Sequence, residues 1–214
     1  MDKIFLIFGS SITYGAWDSE GGWANRLRSF LDQKNLSGQK DYLLLYNLGI
    51  DGDDTVKILK RFNNESEARL AEWDNESTVI IFEIGINDSC YRETKNNPAV
   101  LPEKFEENLT DLIKKTREGS VSKAIFLGLA KGSDKETMPF LGSTTGKCYD
   151  KENVIIYNDI IKKVCEKEKV LFIDILDKMV DSDFYDGLHP NTEGHQKIFE
   201  IVKEFLVENE IIEK

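Results

Sequence analysis

Five short apolar runs punctuate the chain, at residues 3 to 8, 42 to 47, 78 to 84, 123 to 129 and 170 to 174. Each is rich in Ile, Leu, Val, Phe or Tyr and gives way to Gly, Asn or Asp, as strands buried on both faces of a parallel sheet do. Between them the apolar residues change period. Trp23, Leu27, Phe30 and Leu31 keep helical spacing, as do Phe105, Leu109, Leu112 and Ile113. Ile156, Ile160, Ile161 and Val164 repeat it, followed by Ile198, Ile201, Val202, Phe205 and Leu206. These stripes are read as core faces, and the β-α alternation predicts an α/β fold with one open sheet and helices on both faces.

Residues 56–73 are expected to be interrupted as a helix at Asn63-Asn64. Two long connections, residues 89–101 and 130–150, follow strands and carry Gly, Pro, Ser or Thr. Loops of that length in a compact domain usually serve function or motion. Met138, Phe140 and Leu141 in the second are either a hydrophobic anchor or a lid or acyl-pocket wall.

With 214 residues and 40% hydrophobic content, the chain fits one domain, residues 1–214, whose core needs no disulfide or metal staple. The net charge of −11 repels phosphate backbones and anionic membrane surfaces, so nucleic acid is not an expected partner. The apolar run at residues 3 to 8 is too short for a membrane span and lacks a signal-peptide pattern, so no stable membrane insertion and a cytoplasmic location are expected. Cys90, Cys148 and Cys165 are odd in number and lack C-x-x-C spacing, which points to free thiols. His189 and His195 lack helix-face metal spacing, and no metal or cofactor is expected.

In an open parallel sheet, ligands bind beyond the carboxyl ends of the strands, where strand order reverses. Four loops there are rich in small and polar residues: Gly9-Ser10-Ser11-Ile12-Thr13, Asn47-Leu48-Gly49-Ile50-Asp51-Gly52-Asp53, Gly85-Ile86-Asn87-Asp88 and, after a longer excursion, Asp186-Gly187-Leu188-His189-Pro190. Asp186 stands three residues before His189 in a segment with turn residues, so its carboxylate can accept from Nδ1 and leave Nε2 as a base. A hydroxyl, a base and oriented amide donors are the parts required for acyl transfer.

These four blocks, in order across essentially the whole chain, resemble the SGNH, or GDSL-type, esterases and lipases. Phe105, Asn108 and Leu109 resemble the family's helix after the third block. The resemblance implies a flavodoxin-like three-layer αβα sandwich with a five-stranded parallel sheet. It implies Ser11 as nucleophile, His189 as general base and acid, and Asp186 as orienting carboxylate. The backbone N–H groups of Ser11 and Gly52 and the Asn87 side chain would form the oxyanion hole. A small-molecule ester is the implied substrate, cleaved through an acyl-enzyme without a cofactor, and the net charge of −11 favours neutral short-chain or acetyl esters, such as acetylated sugars, over polyanions. The missing G-x-S-x-G elbow argues against the other serine-hydrolase fold, the α/β-hydrolases.

One position departs from the family pattern: Ser10 stands where the family has aspartate. It is expected to hydrogen-bond a nearby backbone N–H more weakly than a carboxylate would. Among the remaining residues, His195 reads as structural or solvent-facing, Asp88 as an acceptor for backbone N–H groups, Thr13 as support for the nucleophile loop, Trp23 as core and Trp17 as a pocket floor. Two other functions compete with hydrolysis: a non-catalytic ester- or glycan-binding protein on the same fold, and a flavodoxin-like flavin or phosphate binder using residues 9–13. The latter leaves Asp186, His189 and Asn87 unexplained.

Overall fold

The computed structural model describes residues 2–38, 40–70, 78–119 and 121–213. Strands β1 (Lys3–Gly9), β2 (Leu43–Gly49), β3 (Thr78–Glu83), β4 (Lys123–Leu127) and β5 (Leu171–Ile173) form one all-parallel sheet in the order β2-β1-β3-β4-β5. Helices α2 (Gly22–Leu36) and α8 (Thr192–Glu208) pack together on one side. Helices α3 (Thr55–Leu70), α5 (Pro102–Glu118) and α7 (Lys151–Glu168) pack in sequence on the other. The three-layer αβα sandwich and the flavodoxin-like strand order thus hold. Three single-turn helices, α1 (Ser11–Tyr14), α4 (Ile86–Ser89) and α6 (Asp134–Thr137), sit in the connections.

The strands form where their side chains disappear from water on both faces. Ile4 through Phe8 and Ile80 through Phe82 are fully buried. Phe8, Phe82, Phe126 and Phe172 stand at one level across β1, β3, β4 and β5. Their rings lie close, with centroids 5.9 Å apart for Phe8 and Phe82 and 4.8 Å for Phe82 and Phe126. Phe62 of α3 caps the row, 5.1 Å from Phe8. A one-residue slip of any of these strands would turn its ring to the opposite face, so the row holds the register.

Several expected boundaries move. β2 runs to Gly49 because its pairing with β1 continues to the end of that strand, carrying polar Asn47 into the ladder. β4 stops at Leu127, two residues early. The Gly128 N–H still donates to the Ile173 carbonyl of β5 at 2.8 Å, but the Leu129 N–H turns to the Asn158 side chain at 2.8 Å, which takes the chain out of the sheet. α3 is continuous through Asn63-Asn64, contrary to the expected interruption. Both asparagines face solvent while Ile58, Phe62 and Ser66 anchor the buried face, and exposed asparagine costs only about 0.7 kcal/mol of helix propensity. Trp73 lies outside the described residues.

The stripe assigned to α7 needs correcting at Ile156, which is 48% exposed. The buried face is Val154, Tyr157, Ile161, Val164 and Cys165. Tyr157 sets that phase by packing on Phe105 at 4.9 Å and donating its hydroxyl to the Val100 carbonyl. Among the described residues, no helix is long and apolar enough to cross a membrane.

Phe82→Ala removes the centre of the phenylalanine row, and unfolding in urea should show a loss of about 3–5 kcal/mol. A loss below about 1 kcal/mol would mean that the row does not carry the sheet.

Candidate active site

Strand register brings the polar loops together. Gly9 pairs with Gly49 on one side and with Glu83 on the other, so β1, β2 and β3 end at one level. The Ser10 carbonyl accepts from the Tyr14 N–H at 2.9 Å and the Ser11 carbonyl from the Gly15 N–H at 3.0 Å, which closes α1 as one tight turn directly after β1. Ser11 therefore opens a helix at the sheet edge.

Far along the chain, Asp186 organises its own turn. Its Oδ1 accepts from the N–H groups of Leu188 at 3.1 Å and His189 at 2.8 Å, while Oδ2 lies 2.8 Å from His189 Nδ1. Gly187 makes the curl possible with φ of 81°, a left-handed conformation that a Cβ would strain. Burial alone would raise the Asp186 carboxyl. The bonds from the His189 ring and from the backbone outweigh it and hold the group below the usual carboxylate range. His189 Nε2 lies 2.9 Å from Ser11 Oγ, joining residues 178 positions apart.

The tautomer follows from a conflict. The Trp17 indole N–H points at the same Nδ1 from 3.1 Å, and Nδ1 can either donate to Asp186 or accept from Trp17. An ionised carboxylate facing a bare nitrogen lone pair is repulsive, so the shorter, charge-assisted bond to Asp186 wins and Nδ1 carries the proton. Nε2 is then free to accept from the Ser11 hydroxyl. Trp17 is 64% exposed and stands edge-on to the imidazole at 5.8 Å, at the rim of the site.

Asn87, in α4, has a determined amide orientation. Its Nδ2 donates to the Asp53 carbonyl at 3.0 Å, and its Oδ1 accepts from the Tyr149 hydroxyl at 3.0 Å. The reverse orientation would set two carbonyl oxygens against each other. One Nδ2 hydrogen is left over. Gly52, with φ of 70°, turns the β2 loop towards the same space. Arg61 pins that loop through its bonds to the Asp53 carboxylate at 2.8 Å and the Leu48 carbonyl at 2.6 Å. Beneath it, Asn108 donates to Thr55 Oγ1 at 2.8 Å, and the Thr55 N–H and hydroxyl both donate to Asp88. Asp88 is thus a structural acceptor linking the second and third blocks to α5. Ser11, Gly52, Asn87, Asp186 and His189 line one cavity of about 780 Å³.

The 130–150 connection builds one wall of that cavity. Its base is tied down by paired backbone bonds between Tyr91 and Cys148, and by the Ser133 N–H donating to the Gly187 carbonyl at 2.8 Å. Phe140 bridges the two halves of the site, 6.0 Å from the His189 ring and 5.8 Å from Tyr149. Leu141 lines the cavity but is otherwise exposed. Tyr149 carried no local signal in the sequence, since its partner lies 62 residues away.

Two buried groups behind α1 stand out. Glu83 accepts from Thr13 Oγ1 at 2.8 Å, and burial pushes its carboxyl up to about 7 despite the Thr13 bonds. The sequence did offer a sign, a carboxylate closing an otherwise apolar strand. Ser10, contrary to expectation, accepts from no backbone N–H: Oγ is buried without a partner among the described residues. As the N-cap of α1 it makes no side-chain cap bond.

His195 lies apart from the site and faces no solvent. It is fully buried, accepts from the Trp23 N–H at 3.3 Å, and is pushed down to about 4 by burial, so it stays neutral at pH 7. Trp23 is core, as its phase predicted. Cys90 and Cys165 are buried free thiols and Cys148 is a half-buried one. No group of three or more metal-ligating side chains is gathered among the described residues.

Residues 7–197 match the GDSL-like Lipase/Acylhydrolase family. A multidomain esterase of Ruminococcus flavefaciens is 26% identical over 89% of the chain, which spans only 26% of that relative. Among solved structures, a lipase/acylhydrolase from Enterococcus faecalis superposes with a TM-score of 0.69 at 20% identity, over 95% of both chains. An acetylxylan esterase from Geobacillus stearothermophilus gives 0.68 at 18% identity, over 95% of this chain and 92% of that one. At those identities the structural likeness establishes the fold.

Leaving a hydroxyl buried and unpaired costs about 1–3 kcal/mol. Ser10→Ala should therefore unfold at the same temperature as the parent or higher, and a clear drop in Tm would show that Oγ has a partner. Glu83 binds its proton more tightly folded than unfolded, so its contribution to stability is complete below the unfolded value near 4.5 and is lost as pH rises through about 7. Glu83→Gln should thus stabilise the fold relative to the parent by more at pH 8 than at pH 5, by on the order of 3 kcal/mol. Equal effects at both pH values in chemical denaturation would contradict this.

Proposed function

The chain belongs to the GDSL-like Lipase/Acylhydrolase family, and on that premise we propose that it is a serine hydrolase of short O-acyl esters working through an acyl-enzyme. The observation that carries the reading is the continuous chain from Ser11 Oγ through His189 to Asp186, with contacts of 2.9 and 2.8 Å. As Ser11 Oγ attacks the ester carbonyl carbon, its proton passes to Nε2. Asp186 stabilises the imidazolium while remaining ionised itself. The carbonyl oxygen becomes an oxyanion, which the backbone N–H groups of Ser11 and Gly52 and the spare Nδ2 hydrogen of Asn87 stabilise. When the C–O bond to the alcohol breaks, His189 returns the proton to the leaving oxygen. Water then repeats the sequence on the acyl-enzyme and releases the acid.

Tyr149 has a positioning role in this reading. By occupying Oδ1 it holds the Asn87 amide so that nitrogen, and not oxygen, faces the developing charge. Preorganised donors act because they need no reorientation as charge appears, and one is worth about 3–4 kcal/mol.

Acetyl esters of sugars are the proposed substrates. Exposed aromatic faces of Trp17 and Tyr185 flank the cavity and offer apolar platforms with polar edges. The acetylxylan esterase among the structural neighbours points in the same direction. The proposal treats residues 1–214 as one catalytic domain and, given three free cysteines, assigns it to the reducing cytoplasm.

Hydrolysis of p-nitrophenyl acetate should fall by about four orders of magnitude or more in Ser11→Ala, while Ser10→Ala keeps most of the activity. Unchanged turnover in the Ser11 variant would refute the mechanism. Tyr149→Phe should lower kcat by about ten-fold with little change in KM, because the lost anchor affects only the transition-state donor. A rise in KM alone would instead assign Tyr149 to substrate binding.

A further inference from the structure

A second cavity, of about 360 Å³, opens on the far side of Gly52 and Asn87. It shares both residues, and Lys147, with the main cavity, so the two cavities adjoin at the proposed oxyanion donors. Its charge runs against the protein as a whole. Lys57, Arg92 and Lys147 line it with Asp54 as the one acid, in a chain whose net charge is −11.

That acid is already engaged. Asp54 Oδ1 accepts from the Lys57 N–H at 2.9 Å and Oδ2 lies 3.5 Å from Lys57 Nζ, which also donates to the Gly52 carbonyl at 2.5 Å. Arg92 and Lys147 make no ion pair among the described residues, whereas Lys57, Lys95 and Lys151 do. Two uncompensated cations thus face one concave space beside the reacting centre. Guanidinium and ammonium groups so arranged match a carboxylate, the guanidinium by a two-pronged bond.

We infer that this cavity is an anion-recognising subsite and that the preferred substrates are short esters bearing a carboxylate, on either the acyl or the alcohol part. The inference rests on the hydrolase reading above and narrows it: overall charge disfavours anions at long range, while the local cations favour them at contact, within the screening length of about 8 Å.

Two matched pairs of esters test it. Monoethyl succinate against ethyl succinamate puts the charge on the acyl side, and an acetylated methyl glucuronoside against an acetylated methyl glucoside puts it on the alcohol side. In the parent protein at low salt, kcat/KM should favour the anionic member of one pair by about ten-fold or more; which pair shows it assigns the side. Arg92→Ala and Lys147→Ala should each shrink that ratio, and Arg92→Lys should keep part of it. A ratio near one in both pairs, or a ratio that neither alanine variant alters, would overturn the inference. Calorimetric titration of Ser11→Ala with the same esters reads the charge preference without turnover. If the parent hydrolyses neither the four esters nor p-nitrophenyl acetate, the hydrolase reading fails. Without turnover of the four, whatever the result with p-nitrophenyl acetate, the subsite stands or falls on whether the anionic esters bind more tightly than their neutral partners.

Discussion

Everything at this site depends on the parallel register of three strands. β1 sits between β2 and β3, and all three strands end together at Gly9, Gly49 and Glu83. The chain leaves that level in three directions, and each departure delivers one chemical group: the Ser11 hydroxyl, the Gly52 backbone and the Asn87 amide. One residue back, the row of phenylalanines ties β1 and β3 through their side chains, with Leu48 of β2 at the same level. Core packing and site geometry are therefore one constraint, because a slip that disturbed the rings would also separate the donors.

Carboxyl groups around the site show how environment divides labour among identical chemistry. Asp186 is partly buried, yet three donors converge on it and keep it ionised. Glu83 and Asp88 are sealed in, and burial pushes both up to about 7 despite their threonine partners. Asp53 is buried too, and its carboxyl is raised, but it faces Arg61. Only Asp186 combines a low value with access to the imidazole, which is what orienting a base requires. The others hold the loops that present the proposed oxyanion donors.

Much of the fold was legible because burial on both faces leaves a local trace. All five strands announced themselves as unbroken apolar runs, and four helices as apolar stripes. The errors came where a neighbour decided the outcome. Ile156 was placed in the core by spacing alone, whereas Tyr157 and its packing on Phe105 rotate the helix by one position. Asn63-Asn64 looked like a break, but a helix anchored by Ile58, Phe62 and Ser66 runs through two exposed asparagines at small cost.

For the site, the chain alone carried the residue types, their order and their position at strand ends, since turns and strand ends are written in short local patterns. It could not carry distances. That His189 meets Ser11, that Tyr149 holds Asn87, that the Ser10 hydroxyl is left without a partner and that Arg92 and Lys147 face a shared cavity are consequences of three-dimensional packing. Each joins groups distant along the chain or depends on what packing leaves within reach. Local sequence encodes which groups reach an edge; only the closed fold decides which of them touch.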